Sequence, residues 1–163
     1  MEQLVNDWPA QLNVLIATAY AMVLGGVIGF EREMKDRPAG FRTHMLVAGA
    51  AALLVGLADL LAVRYSGEHY RELVRVDPLR LIEAVVAAVG FLGAGAIFRS
   101  GDDRVTGITT AASLLMVAAI GIAVGVHAHV LAFGATALTL AVLLILAWVE
   151  RQSGARRRNS RTD

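Results

Sequence analysis

The sequence predicts an all-α, polytopic transmembrane helical bundle of about five spans, and three observations carry that expectation. The chain is 56% hydrophobic but only 18% charged, with a mean hydropathy of +0.60. A soluble domain of 163 residues would have too little polar surface to cover so much apolar content. Residues 9–30 contain no Asp, Glu, Lys or Arg, and a helix needs about 20 apolar residues to cross a hydrocarbon core of about 30 Å. A second uncharged stretch runs from Val105 to Val149. It is too long for one span, and Gly125-Val126-His127-Ala128-His129 near its middle is the only polar break, so it is expected to fold back as a hairpin.

Taken in order, the spans are expected near 9–30, 44–63, 81–98, 108–126 and 130–149. Met1–Asp7 has two acids and no Lys or Arg, unlike the basic start of a cleavable signal peptide, so the first run is expected to stay as an anchor. Between the first two runs lies an island of charge, Gly29-Phe30-Glu31-Arg32-Glu33-Met34-Lys35-Asp36-Arg37-Pro38-Ala39-Gly40-Phe41-Arg42-Thr43. Pro38 and Gly40 supply a turn, and Thr43 is placed to cap the second helix. In the connection 64–80, Tyr70, Leu73 and Val74 share a helical face and predict a short surface helix. Asp77 before Pro78 suits a helix cap followed by a first-turn proline. Residues 1–150 form the transmembrane domain in this reading. Residues 151–163 form a basic tail without an apolar face, expected to be disordered.

Orientation follows from Lys and Arg. The first connection holds Arg32, Lys35, Arg37 and Arg42, the third Arg99 and Arg104, and the tail Arg151, Arg156, Arg157, Arg158 and Arg161. On the other side only the second connection is basic, with Arg64, Arg71, Arg75 and Arg80. The N-terminus is therefore expected outside and the C-terminus in the cytoplasm. Trp8 and Trp148 then fall at opposite interfaces, and the tail arginines can meet anionic lipid headgroups.

Two glycine-containing patterns stand out. The first is Gly29-Phe30-Glu31-Arg32-Glu33, a short basic spacer, then Ala39-Gly40-Phe41-Arg42-Thr43. The second is Gly90-Phe91-Leu92-Gly93-Ala94-Gly95-Ala96-Ile97-Phe98-Arg99, followed by Gly107-Ile108-Thr109-Thr110-Ala111-Ala112-Ser113. No Lys-Ser/Thr follows these glycines and no strand is expected before them, so a phosphate loop is a poor reading. In lipid, glycine more often lets helices approach closely, which is the role expected for Gly25, Gly29, Gly90, Gly93, Gly95, Gly121 and Gly125.

In their order and framework, these two patterns resemble the signatures of the MgtC/SapB membrane-protein family. The resemblance covers roughly residues 10–149. It implies a bacterial inner-membrane protein associated with growth at low magnesium, with survival under acid or host stress in a virulence-associated family, and with restraint of the F-type ATP synthase. It departs at Ala87 and Ala88, where members usually have Ser and Gly, and at Leu115, where they often have Trp. Many members also carry a folded cytosolic C-terminal domain, whereas this chain stops soon after the fifth expected span, which resembles the short SapB-like branch.

The expected topology brings both patterns to one face, where Glu31, Arg32, Arg42, Thr43, Arg99, Thr109 and Thr110 form the candidate functional cluster. A carboxylate among guanidiniums and two helix N-termini would stay ionised. The cluster reads as a recognition surface or a small ion site; the plainer reading is a positive-inside loop with one internal salt bridge. Asp59 and Glu83 are the intramembrane acids, each with an ion-pairing alternative, to Arg64 and Arg80 respectively. His127 and His129 make a thin metal site without a third ligand and suit a polar turn better. His44 reads as a helix-start residue at the interface.

Without Cys there is no disulfide, thiolate metal site or Cys nucleophile, and no hydrolytic or nucleotide-binding constellation is present. No catalytic site, cofactor, metal site or nucleic-acid partner is expected. Three function classes remain: a regulatory protein working through another membrane protein, a magnesium or other cation transporter, and a structural subunit assembling through small-residue faces, with a homo-oligomer expected. The mid-membrane polar residues Thr18, Tyr20, Ser113, Thr136 and Thr139 include no acid. Divalent cations need several oxygen ligands, so the regulatory class is favoured.

Overall fold

A computed structural model describes residues 8–65, 77–99 and 105–159, with side chains described up to residue 97 and then from 105 to 145. Five helices run as α1 (Trp8–Glu33), α2 (Phe41–Arg64), α3 (Pro78–Gly95), α4 (Ile108–Gly125) and α5 (His129–Asn159). Four of them, α1 to α4, are long and apolar enough to cross a membrane. The described side chains of α5 add an apolar segment over His129–Ile145. The all-helical, multi-pass membrane architecture expected from the sequence is the one observed.

Helix α4 is the axis of the bundle and packs against all four other helices. Its apolar window is 56% buried, against 17% for α3, which lies at the edge. Large side chains face outward: Leu15, Ile16, Val23, Phe91, Val130 and Leu138 are all exposed. Small ones face inward, with Ala21, Ala48, Ala51, Ala52, Ala118 and Ala132 almost fully buried. Lipid tails are as apolar as Leu, so nothing drives large side chains inside; close approach of backbones does the packing instead.

The glycines carry that packing selectively. A Cβ on Gly121 would stand 2.2 Å from the Ala48 carbonyl oxygen, and one on Gly125 2.6 Å from Val55 Cβ. On α1, a Cβ on Gly25 would be 2.6 Å from the His44 carbonyl oxygen, and one on Gly29 2.8 Å from His44 Cβ. Gly93 sits against Ala111. Gly90 and Gly95 depart from the expectation: they face open space because α3 turns most of its circumference away from α4. Spacings of three and then two residues spread Gly90, Gly93 and Gly95 around the helix, so they cannot all lie on the one face that packs.

Helix ends depart from the expected boundaries in informative places. Helix α3 begins at Pro78 because Asp77 Oδ1 accepts the Leu79 N–H at 3.0 Å, the cap and first-turn proline that the sequence suggests. It stops at Gly95, not residue 98, and Phe98–Arg99 pairs antiparallel with Val105–Thr106 in a two-stranded ribbon, β1–β2. The ribbon enters α4 through Gly107 at φ 91°, where a Cβ would lie 1.9 Å from the Ala96 carbonyl oxygen. Only glycine fits there. The expected surface helix over Tyr70, Leu73 and Val74 lies outside the described residues.

At the other end of the hairpin formed by α4 and α5, the chain reverses through Val126, His127 at φ 61° and Ala128. This is the break expected in the long uncharged stretch. Helix α5 then continues to Asn159, so residues 151–159 are helical where a disordered tail was expected; residues 160–163 lie outside the described residues. Extending a formed helix costs far less than nucleating one, and Arg, Gln and Ala are good helix formers.

Candidate functional site at the α1–α2 hairpin

The C-terminal end of α1, the N-terminal ends of α2 and α4, and the Leu143 region of α5 meet at one end of the bundle. Lys35 Nζ donates to the Leu143 carbonyl at 3.3 Å, and Arg32 Nη2 to Thr110 Oγ1 at 3.5 Å. The two sequence patterns therefore do converge in space.

Glu31 and Arg32 lie at the centre of this end, only 8% and 3% exposed. Glu31 forms ion pairs with Lys35, one helical turn on, and with Arg32 Nη1 at 3.8 Å. An acid four residues before a base is the favourable order on a helix. Neither Glu31 oxygen accepts a well-directed hydrogen bond, and Arg32 Nε has no acceptor among the described residues. The charges compensate each other while hydrogen-bonding capacity remains unspent, a costly arrangement for buried groups.

Beneath this pair, His44 is fully buried. Its Nδ1 lies 2.9 Å from the Gly40 carbonyl oxygen and its Nε2 3.0 Å from Ser113 Oγ. The Ser113 hydroxyl also reaches the Thr110 carbonyl at 2.8 Å. Since a carbonyl only accepts, Nδ1 carries a proton. His44 is at the helix start that its position in the sequence suggests, but it is buried there as a strut between α2 and α4.

Thr43 does not cap α2. The helix starts two residues earlier, and Glu33 Oε2, at the end of α1, accepts the Phe41 N–H at 2.7 Å. A carboxylate is a stronger partner than a hydroxyl for an orphan N–H at the positive end of a helix. Gly40 makes room for it, since a Cβ there would stand 2.7 Å from Glu33 Oε2. Arg42 and Thr43 are both exposed, and neither has a polar partner among the described residues. Of the seven residues in the candidate cluster, Glu31, Arg32 and Thr110 come together. Thr109 is exposed beside them, and the side chain of Arg99 lies outside the described ones. Lys35, His44, Ser113 and Glu33 join the site although the sequence reading placed none of them in that cluster.

A polar cavity of about 250 Å³ opens beside this network, lined by Arg32, Asp36, Arg37, Thr106, Gly107, Thr109 and Thr110 among others. It lies against the first turn of α4, whose N-cap, Gly107, offers no side-chain cap.

The profile of the MgtC family matches residues 18–152, a range that contains both signature segments and the whole bundle from the middle of α1. The chain belongs to the MgtC family. It is 33% identical to Protein SapB of Bacillus subtilis (strain 168), over 91% of this chain and 62% of that one. It is 36% identical to the Escherichia coli (strain K12) protein named "Putative magnesium transporter YhiD", over 79% and 58% of the two chains. It is 38% identical to Protein MgtC of Brucella abortus (strain 2308), over 85% and 53%. The chain thus spans between about half and two thirds of the length of these relatives. No solved structure matches it.

The opposite end of this MgtC family bundle holds Asp59, Glu83 and the His pair. Asp59 is exposed and lines a cavity of about 460 Å³ with Asn13 and His127. It forms no ion pair with Arg64 among the described residues, because five residues along a helix turn the two side chains well apart. Glu83 is likewise exposed on α3 without an ion pair to Arg80 among the described residues. His129 stacks edge-on against Tyr20 with centroids 5.6 Å apart, and 6.0 Å from His127. Among the described residues no three His, Cys, Asp or Glu gather closely enough to hold a metal.

Proposed function

We infer that this protein is a non-enzymatic regulatory protein of the bacterial inner membrane, linked to magnesium limitation or related stress. In this reading it acts through the charged face at the α1–α2 hairpin, turned to the cytoplasm. The observation that carries the reading is the buried Glu31–Arg32–Lys35 set joined to His44, Ser113 and Thr110. A chain that needed this end only for topology would leave its charges in water, where they cost nothing. Burying them costs several kcal/mol per ion before pairing, as an order of magnitude, which supports a role in holding a shaped surface. The excess of Lys and Arg at this end supports its cytoplasmic placement.

The partner is another membrane protein, for which the family resemblance points to the F-type ATP synthase, and the chain works as a homo-oligomer. The names of the YhiD and MgtC relatives support the link to magnesium.

Transport of magnesium is the second reading, favoured by the name of the YhiD relative. The bundle interior weighs against it. Among the described residues Thr18, Thr136 and Thr139 donate to carbonyls of their own helices at 2.7–2.9 Å, and no group of three His, Cys, Asp or Glu gathers to supply a divalent cation with ligands.

The deciding experiment pairs two assays. Arg32→Met and Glu31→Gln variants are tested for growth in low magnesium, and the purified chain in liposomes for magnesium flux. Growth defects without flux support the regulatory reading; flux with unaffected growth of both variants transfers the assignment to transport.

A further inference from the structure

We propose that the cavity at the end of the bundle opposite the α1–α2 hairpin binds a small organic ammonium ion with an apolar body, its charge resting on Asp59. This goes beyond the regulatory reading and does not depend on it, because the cavity lies away from the charged face.

The start of α1, the last turns of α2 and the turn between α4 and α5 wall a space of about 460 Å³. Pockets for small molecules begin at roughly 300 Å³. The floor is apolar, with Ala52, Gly56 and Gly125 lining it and buried. Three polar side chains line the same space, Asn13, Asp59 and His127, and all three are exposed and not sealed into the packing.

Asp59 decides the chemistry. It stands five residues before the end of α2, about 7–8 Å along the helix, in a spanning segment where a carboxylate is costly without a partner. It forms no ion pair and accepts no hydrogen bond among the described residues. Its oxygens are therefore free to meet a cation that enters the cavity.

His127 is a second, separate observation. It holds φ 61°, which is uncommon for a residue with a Cβ, and a glycine would make that turn at no steric cost. The chain places an imidazole beside the cavity instead. Carboxylate, amide and imidazole each supply an acceptor, and no Lys or Arg is among the described lining residues. Acceptors above an apolar floor select a cation that carries N–H donors and hydrocarbon together. The ammonium gives Asp59 a charge-assisted hydrogen bond, and the apolar body covers the floor. A bare divalent ion finds too few ligands, since no three His, Cys, Asp or Glu gather among the described residues.

The experiment titrates the full chain in detergent micelles by calorimetry, with protein-free micelles as the blank. The probe is adamantylammonium, a compact hydrocarbon cage bearing one charge; the control is adamantanol, the same cage with a hydroxyl in its place. The ammonium binds saturably and the alcohol at least about tenfold more weakly, the scale of one charge-assisted contact. Asp59→Asn weakens the ammonium by about the same factor and leaves the alcohol unchanged. His127→Gly also weakens it, while the unfolding temperature holds or rises because glycine suits that φ. Glu83→Gln, an exposed acid on α3 outside the cavity, changes neither. Asp59 and His127 are exposed, so both variants keep the fold. The proposal is overturned by an absence of saturable ammonium binding, by equal binding of ammonium and alcohol, or by ammonium binding that survives Asp59→Asn.

Discussion

His44 Nε2 and Ser113 Oγ lie 3.0 Å apart, joining residues 69 positions apart in the chain and fixing the first turns of α2 and α4 against each other. The Ser113 hydroxyl is in turn within 2.8 Å of the Thr110 carbonyl, so the strut sits directly beneath the Arg32–Thr110 contact. Ser113→Ala leaves the His44 Nε2 buried without a partner. The expected cost is about 1–3 kcal/mol, read as a lowered unfolding temperature in detergent. Combining it with His44→Leu should cost less than the sum of the two single changes, since the interaction can be lost only once.

The ion-paired set above it predicts a larger effect. Arg32→Met leaves Glu31 buried with Lys35 alone and should cost about 3–5 kcal/mol. Glu31→Gln takes the carboxylate from the same pair, so the double variant should cost less than the sum of the two single changes. A double-mutant cycle on thermal stability checks this; additive losses would mean that the two side chains act independently.

The cap on α2 gives a cleaner test, because its parts lie on different elements. Glu33→Ala removes the acceptor for the Phe41 N–H and should cost about 0.5–2 kcal/mol. Gly40→Ala displaces the same carboxylate, which a Cβ would meet at 2.7 Å. The double variant should be little worse than either single one, measured by the same unfolding assay.

Glycines divide into two groups by what they touch. Gly121→Ala drives a methyl to 2.2 Å from the Ala48 carbonyl oxygen and should destabilise by at least about 1–3 kcal/mol, the range for overpacking. Gly107→Ala should be worse still, since it meets Ala96 at 1.9 Å and must keep φ 91°. Gly90→Ala and Gly95→Ala face open space. They should leave a monomer as stable as before or up to about 1 kcal/mol more so, through helix propensity. Cross-linking of the Gly90 and Gly95 variants in native membranes then reports whether the free face of α3 serves assembly.

Much of this was legible in the sequence because membranes impose simple rules. Uncharged runs and the polar break at Gly125–His129 mark where helices lie and where they reverse, as no water satisfies backbone groups between. Gly25, Gly29, Gly121 and Gly125 could be assigned to packing from their four-residue spacing. The same rule overreached at Gly90 and Gly95, because which face of α3 meets α4 depends on the partner helix and not on α3 alone. The end of α3 was hidden by a continuous apolar run from Phe91 to Phe98; the chain leaves the helix at Ala96, and Phe98–Arg99 pairs with Val105–Thr106, a partner that local pattern does not reveal. Thr43 was the better local cap, yet Glu33 from the preceding helix took its place, a tertiary choice invisible to local pattern. His44 and Ser113 carried no warning beyond being polar near helix starts. The Glu31–Lys35 spacing, by contrast, was a readable signal for an ion pair.

The account depends most on which side of the membrane the α1–α2 hairpin faces. The chain has no Cys, so single substitutions report without background. Arg42→Cys, exposed at that end, is treated in intact cells and in inverted membrane vesicles with a maleimide that cannot cross the bilayer, alongside Val126→Cys at the exposed opposite turn. Labelling of position 42 only in inverted vesicles, and of position 126 only in intact cells, is the predicted result; labelling of position 42 from outside intact cells would contradict the account.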